Sequence, residues 1–444
     1  MRLLSLRPVM IYYVLRFYCR VALWINFRKI YLEHQDRIPD SGTFLFGLNH
    51  PTAFLDPILL GTHVDEPCWY MLRGDKFVNR PVKWFLHKIQ NLPIFRERDG
   101  GRAAVRSNLA TMDFATDKLL AGEPTIILSE GLCRHERRLR KIQRGTARMM
   151  FQAYRKDPTK PVGIVPAGIN YTFANRFRSS VYLTFGDPIY AADFAEAYQA
   201  DKRETIDQVT QLLEERLRKL VVHVEDPSND RLVDRLVPIV TNSFPDSGLT
   251  PTLDRAPARQ ALHRAVETVN GMDTIQRNAF AEALDRYERL LEANGLTDAG
   301  LANPAYGTAL RALGLIVSGP LAILGMLLHY PLAIVTQRQA EKKVANPQFF
   351  ASVRWGMGLA IWLMFVLVWT IGLAFAVGWL ALLIPVLFYL AGRFALIWYE
   401  SFDLWRKSVR IRSVSEAERT KLFKMRERLL TELGVHAQHS TPAS

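Results

Sequence analysis

A histidine and an aspartate stand six positions apart in FLFGLNHPTAFLDPILLG, residues 44–61, and each is followed by proline. An imidazole can take a proton near pH 7, and a carboxylate on its other ring nitrogen would fix the tautomer and stabilise the cation that forms. The prolines bear on whether the two side chains can meet. Pro51 pushes His50 away from helical backbone, while Pro57 is tolerated at the first position of a helix and not in its interior. The spacing predicts a strand, TFLFGL, ending at His50, then a short turn, PTAFL, then a helix, PILLGTHV, with Asp56 as its N-cap. One continuous helix would put residues six apart on different faces; the prolines remove that obstacle without proving contact. Taken alone, capping is the simpler account of Asp56, and pairing with His50 stays open.

The elements around this segment alternate. TFLFGL, PTIILS, PVGIVPAGI and SVYLTFG read as strands, and RAAVRSNLATMDFATDKLLAG reads as an amphipathic helix ending at Gly122. That alternation predicts an α/β fold, a mixed sheet with flanking helices. Residues 191–225 read as helical, the Pro-, Ser- and Asp-rich stretch after them as a connector with one short helix, and 257–296 as helical again. There Phe280, Leu284, Tyr287 and Leu291 share one face, and ANG at 293–295 supplies a C-cap.

With a net charge of +14, the 444-residue chain favours an anionic partner, whether phosphate-bearing substrate, acidic membrane face or nucleic acid. Cys19, Cys68 and Cys133 are too scattered for a disulfide framework or a zinc ribbon. The sequence contains no H-E-x-x-H, Walker loop or G-x-G-x-x-G, so neither a metal nor a nucleotide cofactor is expected.

The C-terminal third differs from the rest. Residues 312–337 carry no charge but contain Pro320 and Pro331; residues 355–392 carry none over 38 positions, almost twice the ~20 needed for one crossing. We expect a re-entrant segment at 312–337 and a hairpin of crossings at about 357–376 and 379–398. Arg338, Lys342, Lys343 and Arg354 before the hairpin, and the basic tail after it, place both of its ends on the cytoplasmic side. At the N-terminus, Tyr12, Tyr13, Phe17, Tyr18 and Trp24 surround Arg16 and Arg20. That pattern suits a helix lying in the headgroup region, or one packed on the protein's own core, and not a secretory signal. The expected organisation is an interfacial helix at 1–30, a catalytic domain at 31–222, a helical accessory region at 223–310, a hydrophobic region at 311–400 and a basic tail at 401–444.

Four segments in order sharpen the reading. NHPTAFLDP resembles the first motif of the glycerolipid acyltransferases, with five residues between His50 and Asp56 where four are usual, as in a subset that includes fungal-type glycerol-phosphate acyltransferases. LPIFRERDG resembles the F-x-x-R motif through Phe95 and Arg98, with Leu92 in place of the usual glycine. LSEGLCRHERRLRKIQRGTARM resembles the P-E-G motif through Glu130 and Gly131, with Ser129 in place of proline. VGIVPAGINY matches the fourth motif through Pro166, and Lys76 in RGDKF stands where a lysine often follows the first helix.

The resemblance covers roughly residues 30–190. It implies transfer of a fatty acyl group from acyl-CoA or an acyl carrier protein thioester to a hydroxyl of glycerol 3-phosphate or lysophosphatidic acid, with His50 as general base and Asp56 as its orienter. It implies that Arg98, and secondarily Lys76, meets the acceptor phosphate, a geometry guanidinium suits, and that Glu130 with Gly131 holds acceptor hydroxyls or loop shape. Cys133 receives no role. The basic run at 134–144 could meet phosphates of coenzyme A, an acidic carrier protein or anionic headgroups, or be a solvated helix face. A phospholipid membrane is the expected partner. Another lysolipid acceptor, or a non-catalytic lipid-binding protein on the same fold, are the competing readings; nucleic acid would account for the charge but not for the hydrophobic run.

Overall fold

The computed structural model describes residues 6–40, 43–95, 97–244 and 250–436. The chain divides into two compact units, one built from the residues up to Val222 together with 250–255 and 346–352, the other from the remainder.

The described residues of the first unit form a nine-stranded mixed sheet. Its strands are β1 (Ile30–Glu33), β2 (Phe44–Leu48), β3 (Trp69–Arg73), β4 (Asn91–Ile94), β5 (Thr125–Leu128), β6 (Gly163–Tyr171), β7 (Val181–Phe185), β8 (Ile189–Tyr190) and β9 (Thr252–Leu253), in the order β4-β3-β5-β2-β6-β7-β1-β9, with β8 on β6. The helices are α1 (Leu6–Asn26), α2 (Leu55–His63), α3 (Arg80–Lys88), α4 (Glu97–Leu120), α5 (Gly145–Lys156), α6 (Ala195–Ala200) and α7 (Lys202–Leu220). The four strands read from the sequence are present as β2, β5, β6 and β7, and the amphipathic helix as α4. The short strands β1, β3, β4 and β9 carry no such run, and β4 includes Pro93.

β2 and β6 are buried along their whole length, as strands in the middle of a covered sheet must be. Alternation sorts their side chains. Leu45 lies in one core with Met150 and Phe151 of α5 and Leu213 and Leu217 of α7, and Gly47 keeps α7 close, since a Cβ there would sit 3.1 Å from Leu213. Phe44 and Phe46 form an edge-on pair, and the Phe46 ring meets Phe185. β2 runs parallel to β5 on one side and to β6 on the other, so their C-terminal ends share one edge. Crevices at such an edge are where open α/β sheets bind ligands.

α1 is packed on its own domain: Tyr12 and Tyr70 share a hydroxyl contact of 3.2 Å, and Arg16 and Arg20 donate to main-chain carbonyls of Asp65 and Thr62 at 2.8 and 2.7 Å. Its other face leaves Met10, Tyr13, Val14 and Phe17 exposed.

The second unit is helical, with α8 (Asp230–Asn242), α9 (Pro257–Gly271), α10 (Thr274–Ala293), α11 (Asp298–Ala302), α12 (Ala309–Lys343), α14 (Ile384–Arg410) and α15 (Glu416–Glu432); α13 (Pro347–Val377) begins in the first unit and continues into the second. Phe280, Leu284, Tyr287 and Leu291 are all buried, and Gly295 takes φ +62 at the end of α10. The segment expected to re-enter is instead one unbroken helix, α12, with both prolines inside it. In an apolar stretch a helix tolerates proline, because neighbouring groups and local adjustment satisfy the freed carbonyls. α12 is tied to α14: Gly325 lies so close to Ala391 that a Cβ would clash with its carbonyl, and Trp398 donates to the Leu315 carbonyl at 3.0 Å. The 355–398 run is two helices, α13 and α14, joined by the turn Gly378–Leu383. α12 and the α13–α14 stretch are each long and apolar enough to cross a membrane.

Candidate active site

His50 follows β2 by two residues. Asn49 holds the chain there, its side chain donating to and accepting from the Ile169 main chain of β6 at 3.0 and 2.7 Å. The turn after Pro51 then brings Asp56 back, and its Oδ2 lies 2.9 Å from His50 Nδ1. The sequence expectation needs one correction: Asp56 is not the N-cap. Phe54 holds that position, α2 starts at Leu55, and the Asp56 side chain points back into the turn. Pro57 in the first turn costs the helix nothing, since the first N–H groups have no intrahelical acceptor.

Asp56 is fully buried and accepts three further bonds, from Thr52 N–H at 2.7 Å, Thr52 Oγ1 at 2.6 Å and Tyr171 OH at 2.8 Å. Those donors satisfy the oxygens of a side chain that has no access to water. Burial and the facing Asp56 hold the Tyr171 hydroxyl well above its ordinary pKa, so it serves as a donor. With Nδ1–H given to Asp56, the His50 tautomer assigned by the network leaves Nε2 with a lone pair, and Nε2 has no bond among the described residues. Thr52 and Tyr171 were not foreseen. Thr52 lay in plain view inside NHPTAFLD, but Tyr171 is 115 residues from Asp56 and only the β2–β6 pairing brings it near.

Glu130 follows β5 and is buried; its Oε1 accepts the His50 N–H at 3.1 Å. Burial, with the Asp56 charge adding to it, pushes the Glu130 carboxyl up to about 7. Gly131 takes φ +68, a backbone that glycine adopts at no steric cost, and so turns the chain back. Ser129, in the place of the usual proline, donates its N–H to the Leu48 carbonyl at 2.8 Å, a bond proline could not make. Leu92, in the place of the usual glycine, is a core residue of β4 opposite Met71.

The other expected residues are spread along the sheet. Lys76 follows β3, is largely exposed and sits 3.4 Å from Asp75. Phe95 follows β4, its main chain doubly bonded to the Asn108 amide and its ring over Gly74. These strands stand two and three places from β2, roughly 10 and 14 Å at ~4.8 Å per strand. Arg98 falls in the first turn of α4, and its side chain lies outside the described residues. Pro166 is inside β6 opposite Gly47, three residues below the level of His50, and it lacks an N–H where pairing to β8 has ended and pairing to β7 has not begun.

The basic run is an irregular loop, not a helix, and it lies against the dyad: Arg134 N–H donates to the His50 carbonyl at 3.2 Å. Leu139 and Ile142 are buried, which breaks the solvated helix face expected there. Glu136 gathers Arg138 at 3.6 Å and Arg140 at 2.7 Å, and Arg140 helps hold the Glu130 carboxyl down against its burial. Cys133 accepts the Ala53 N–H at 2.9 Å; burial pushes its thiol up to about 12, so it stays protonated and is a poor nucleophile. Among the described residues no cluster of His, Cys, Asp and Glu could hold a metal ion.

The arrangement pairs an imidazole with a buried carboxylate at the C-terminal edge of the parallel strands. Residues 29–170, about a third of the chain, match the acyltransferase family. Over 84 residues the chain is 36% identical to glycerol-3-phosphate O-acyltransferase 2 of Saccharomyces cerevisiae, covering 19% of this chain and 11% of that protein. An uncharacterized acyltransferase of Schizosaccharomyces pombe is 28% identical over 111 residues, 24% of this chain and 16% of that one. The matched stretches thus span less than a fifth of either yeast protein. Among solved structures, the 1-acyl-sn-glycerophosphate (LPA) acyltransferase PlsC of Thermotoga maritima aligns at TM-score 0.36 and 16% identity, over 48% of this chain and 83% of that one. The resemblance read from the four motifs is upheld at the level of the acyltransferase family.

Proposed function

We propose that the acyltransferase domain at residues 29–170 serves a membrane-bound O-acyltransferase, which moves a fatty acyl group from a thioester donor to a hydroxyl of glycerol 3-phosphate or lysophosphatidic acid. The observation that carries this reading is the 2.9 Å pair between His50 Nδ1 and a fully buried Asp56, with Nε2 left over for chemistry.

His50 Nε2 takes the proton of the acceptor hydroxyl as its oxygen attacks the thioester carbonyl. Asp56 stabilises the imidazolium for that interval and stays ionised, as the carboxylate of a triad does. The new C–O bond forms, the C–S bond breaks, and the departing thiolate takes the proton back from Nε2. No covalent intermediate on the protein is needed. Glu130, poised near neutrality beside the dyad, supplies a carboxyl for the acceptor's hydroxyls. The loop around Arg134, Arg138 and Arg140 supplies positive charge for a phosphate next to the dyad, with Lys76 and Arg98 further along the same edge. The two long apolar stretches support location at a membrane, and the exposed aromatic face of α1 suits its surface. A catalytic domain on the cytoplasmic side agrees with the basic residues flanking the α13–α14 stretch.

The test is acyl transfer by detergent-purified protein from one labelled acyl-CoA to glycerol 3-phosphate, lysophosphatidic acid and lysophosphatidylethanolamine, with His50→Ala alongside. Transfer to one of the first two, lost in the variant, is the expected result. Transfer only to the third reassigns the acceptor. Full activity in His50→Ala removes the mechanism.

A further inference from the structure

The turn that carries Asp56 back to His50 does not hold its shape unaided. Ala53 has φ +32, in the region that side-chain-bearing residues seldom occupy. Backbone of this kind persists where the surroundings over-determine it. Here the surroundings are two distant segments. On one side, Cys133 Sγ takes the Ala53 N–H. On the other, the Ser352 hydroxyl donates to the Thr52 carbonyl at 2.9 Å and accepts the Leu55 N–H at 3.0 Å. The same N–H also reaches the Thr52 carbonyl, at 3.1 Å.

Thr52 is the pivot. Its N–H and hydroxyl make two of the four bonds to Asp56, while its carbonyl is the group that Ser352 holds. Ser352 is 0% exposed and lies 300 positions from Thr52 in the chain. It stands near the start of α13, in the 346–352 stretch that folds with the catalytic unit. The uncharged run of 355–392 begins three residues later on the same helix.

We propose that Ser352 is a positioning residue for the His50–Asp56 pair. Its hydroxyl fixes the 51–55 turn in the shape that sets Asp56 against Nδ1, so the helix that opens the hydrophobic region also supports the catalytic turn. The proposal rests on the acyl-transfer reading. Loss of the hydroxyl leaves the turn free to relax about Ala53, and a shift of about 1 Å in a catalytic group can cost as much as ~100-fold in rate.

The experiment uses the full chain in detergent, comparing the parent with Ser352→Ala and Ser352→Thr for kcat, for KM of both substrates and for Tm. Ser352→Ala is expected to lower kcat about tenfold or more, with both KM values and Tm close to the parent's. Ser352→Thr keeps the hydroxyl and is expected to recover most of that loss. An Ala variant with kcat close to the parent's, a loss confined to KM, or equal kcat losses in two folded variants overturns the proposal. Should the Ala variant not fold, the folded Thr variant decides, since a tenfold lower kcat there contradicts a hydroxyl-borne role. A parent that transfers no acyl group overturns the acyl-transfer reading itself, and this inference with it.

Discussion

Asp56 and Asp298 are both withdrawn from solvent, and both accept a tyrosine hydroxyl, from Tyr171 at 2.8 Å and Tyr287 at 2.6 Å. The other donors differ. Around Asp298 they are Arg426, at 2.8 Å, and the Asn242 amide, at 2.9 Å, while Arg426 also donates to Ile239 and Ser243. With these bonds the Arg426 guanidinium and Asp298 tie α15 to helices α8, α10 and α11. Around Asp56 the donors are neutral except for an imidazole, which can gain and lose a proton. One carboxylate is paired with a guanidinium, the other with an imidazole. A buried aspartate is therefore not a catalytic signal by itself. The ionisable partner, with one nitrogen left over, makes the difference.

Breaking the two sites should separate chemistry from stability. His50→Ala and Asp56→Asn are expected to cut acyl transfer about 10³-fold or more, with melting and membrane extraction little changed. Activity within tenfold of the parent in either variant erases the distinction. Asp298→Ala strands Arg426 and is expected to cost about 3–5 kcal/mol of stability, seen as a lower Tm, while the remaining folded protein keeps its kcat. A kcat loss at unchanged Tm would move Asp298 into the catalytic class.

Finer changes sharpen the contrast. Tyr171→Phe removes one donor to an ionised group, worth about 1.5–3 kcal/mol, and is expected to lower kcat about 10- to 100-fold without raising KM. Glu130→Gln tests the carboxyl that burial has raised. Between pH 4.5 and about 7 the unfolded chain has released this proton while the folded chain keeps it, so folding stability falls as pH rises through that window and levels off above it. Glutamine lacks this dependence and still accepts the His50 N–H. Its Tm should therefore exceed the parent's at pH 8, by up to roughly 3 kcal/mol in stability, with the gap closing toward pH 5. A gap that does not vary with pH means that the Glu130 carboxyl is not raised.

Much of the site could be read before the fold was known, for a physical reason. Pro51 and Pro57 restrict backbone locally, so the strand, the turn and the helix follow from NHPTAFLDP without long-range information. The same local reading foresaw the partner and misplaced the cap, because the Thr52 and Tyr171 donors that turn the Asp56 side chain back into the turn are set by the fold. It misjudged α12 as well, since proline breaks helices by local rules, whereas this helix runs unbroken through both prolines and packs closely on Ala391. A solvated helix face stays open for the basic run in the sequence because charge spacing is local, while the burial of Leu139 and Ile142 is not.

What the amino-acid order determined by itself is the chemistry within reach: a histidine placed after a strand, an aspartate six residues on, a positive run downstream and a long uncharged stretch near the end. Only the tertiary structure decided how that chemistry is held. Tyr171 comes from the far end of β6 and Ser352 from the start of α13, 115 and 300 residues from the groups they bond. A side chain at that distance carries no mark of its partner in its neighbours, because the chain must close a sheet and return a helix before the two can meet.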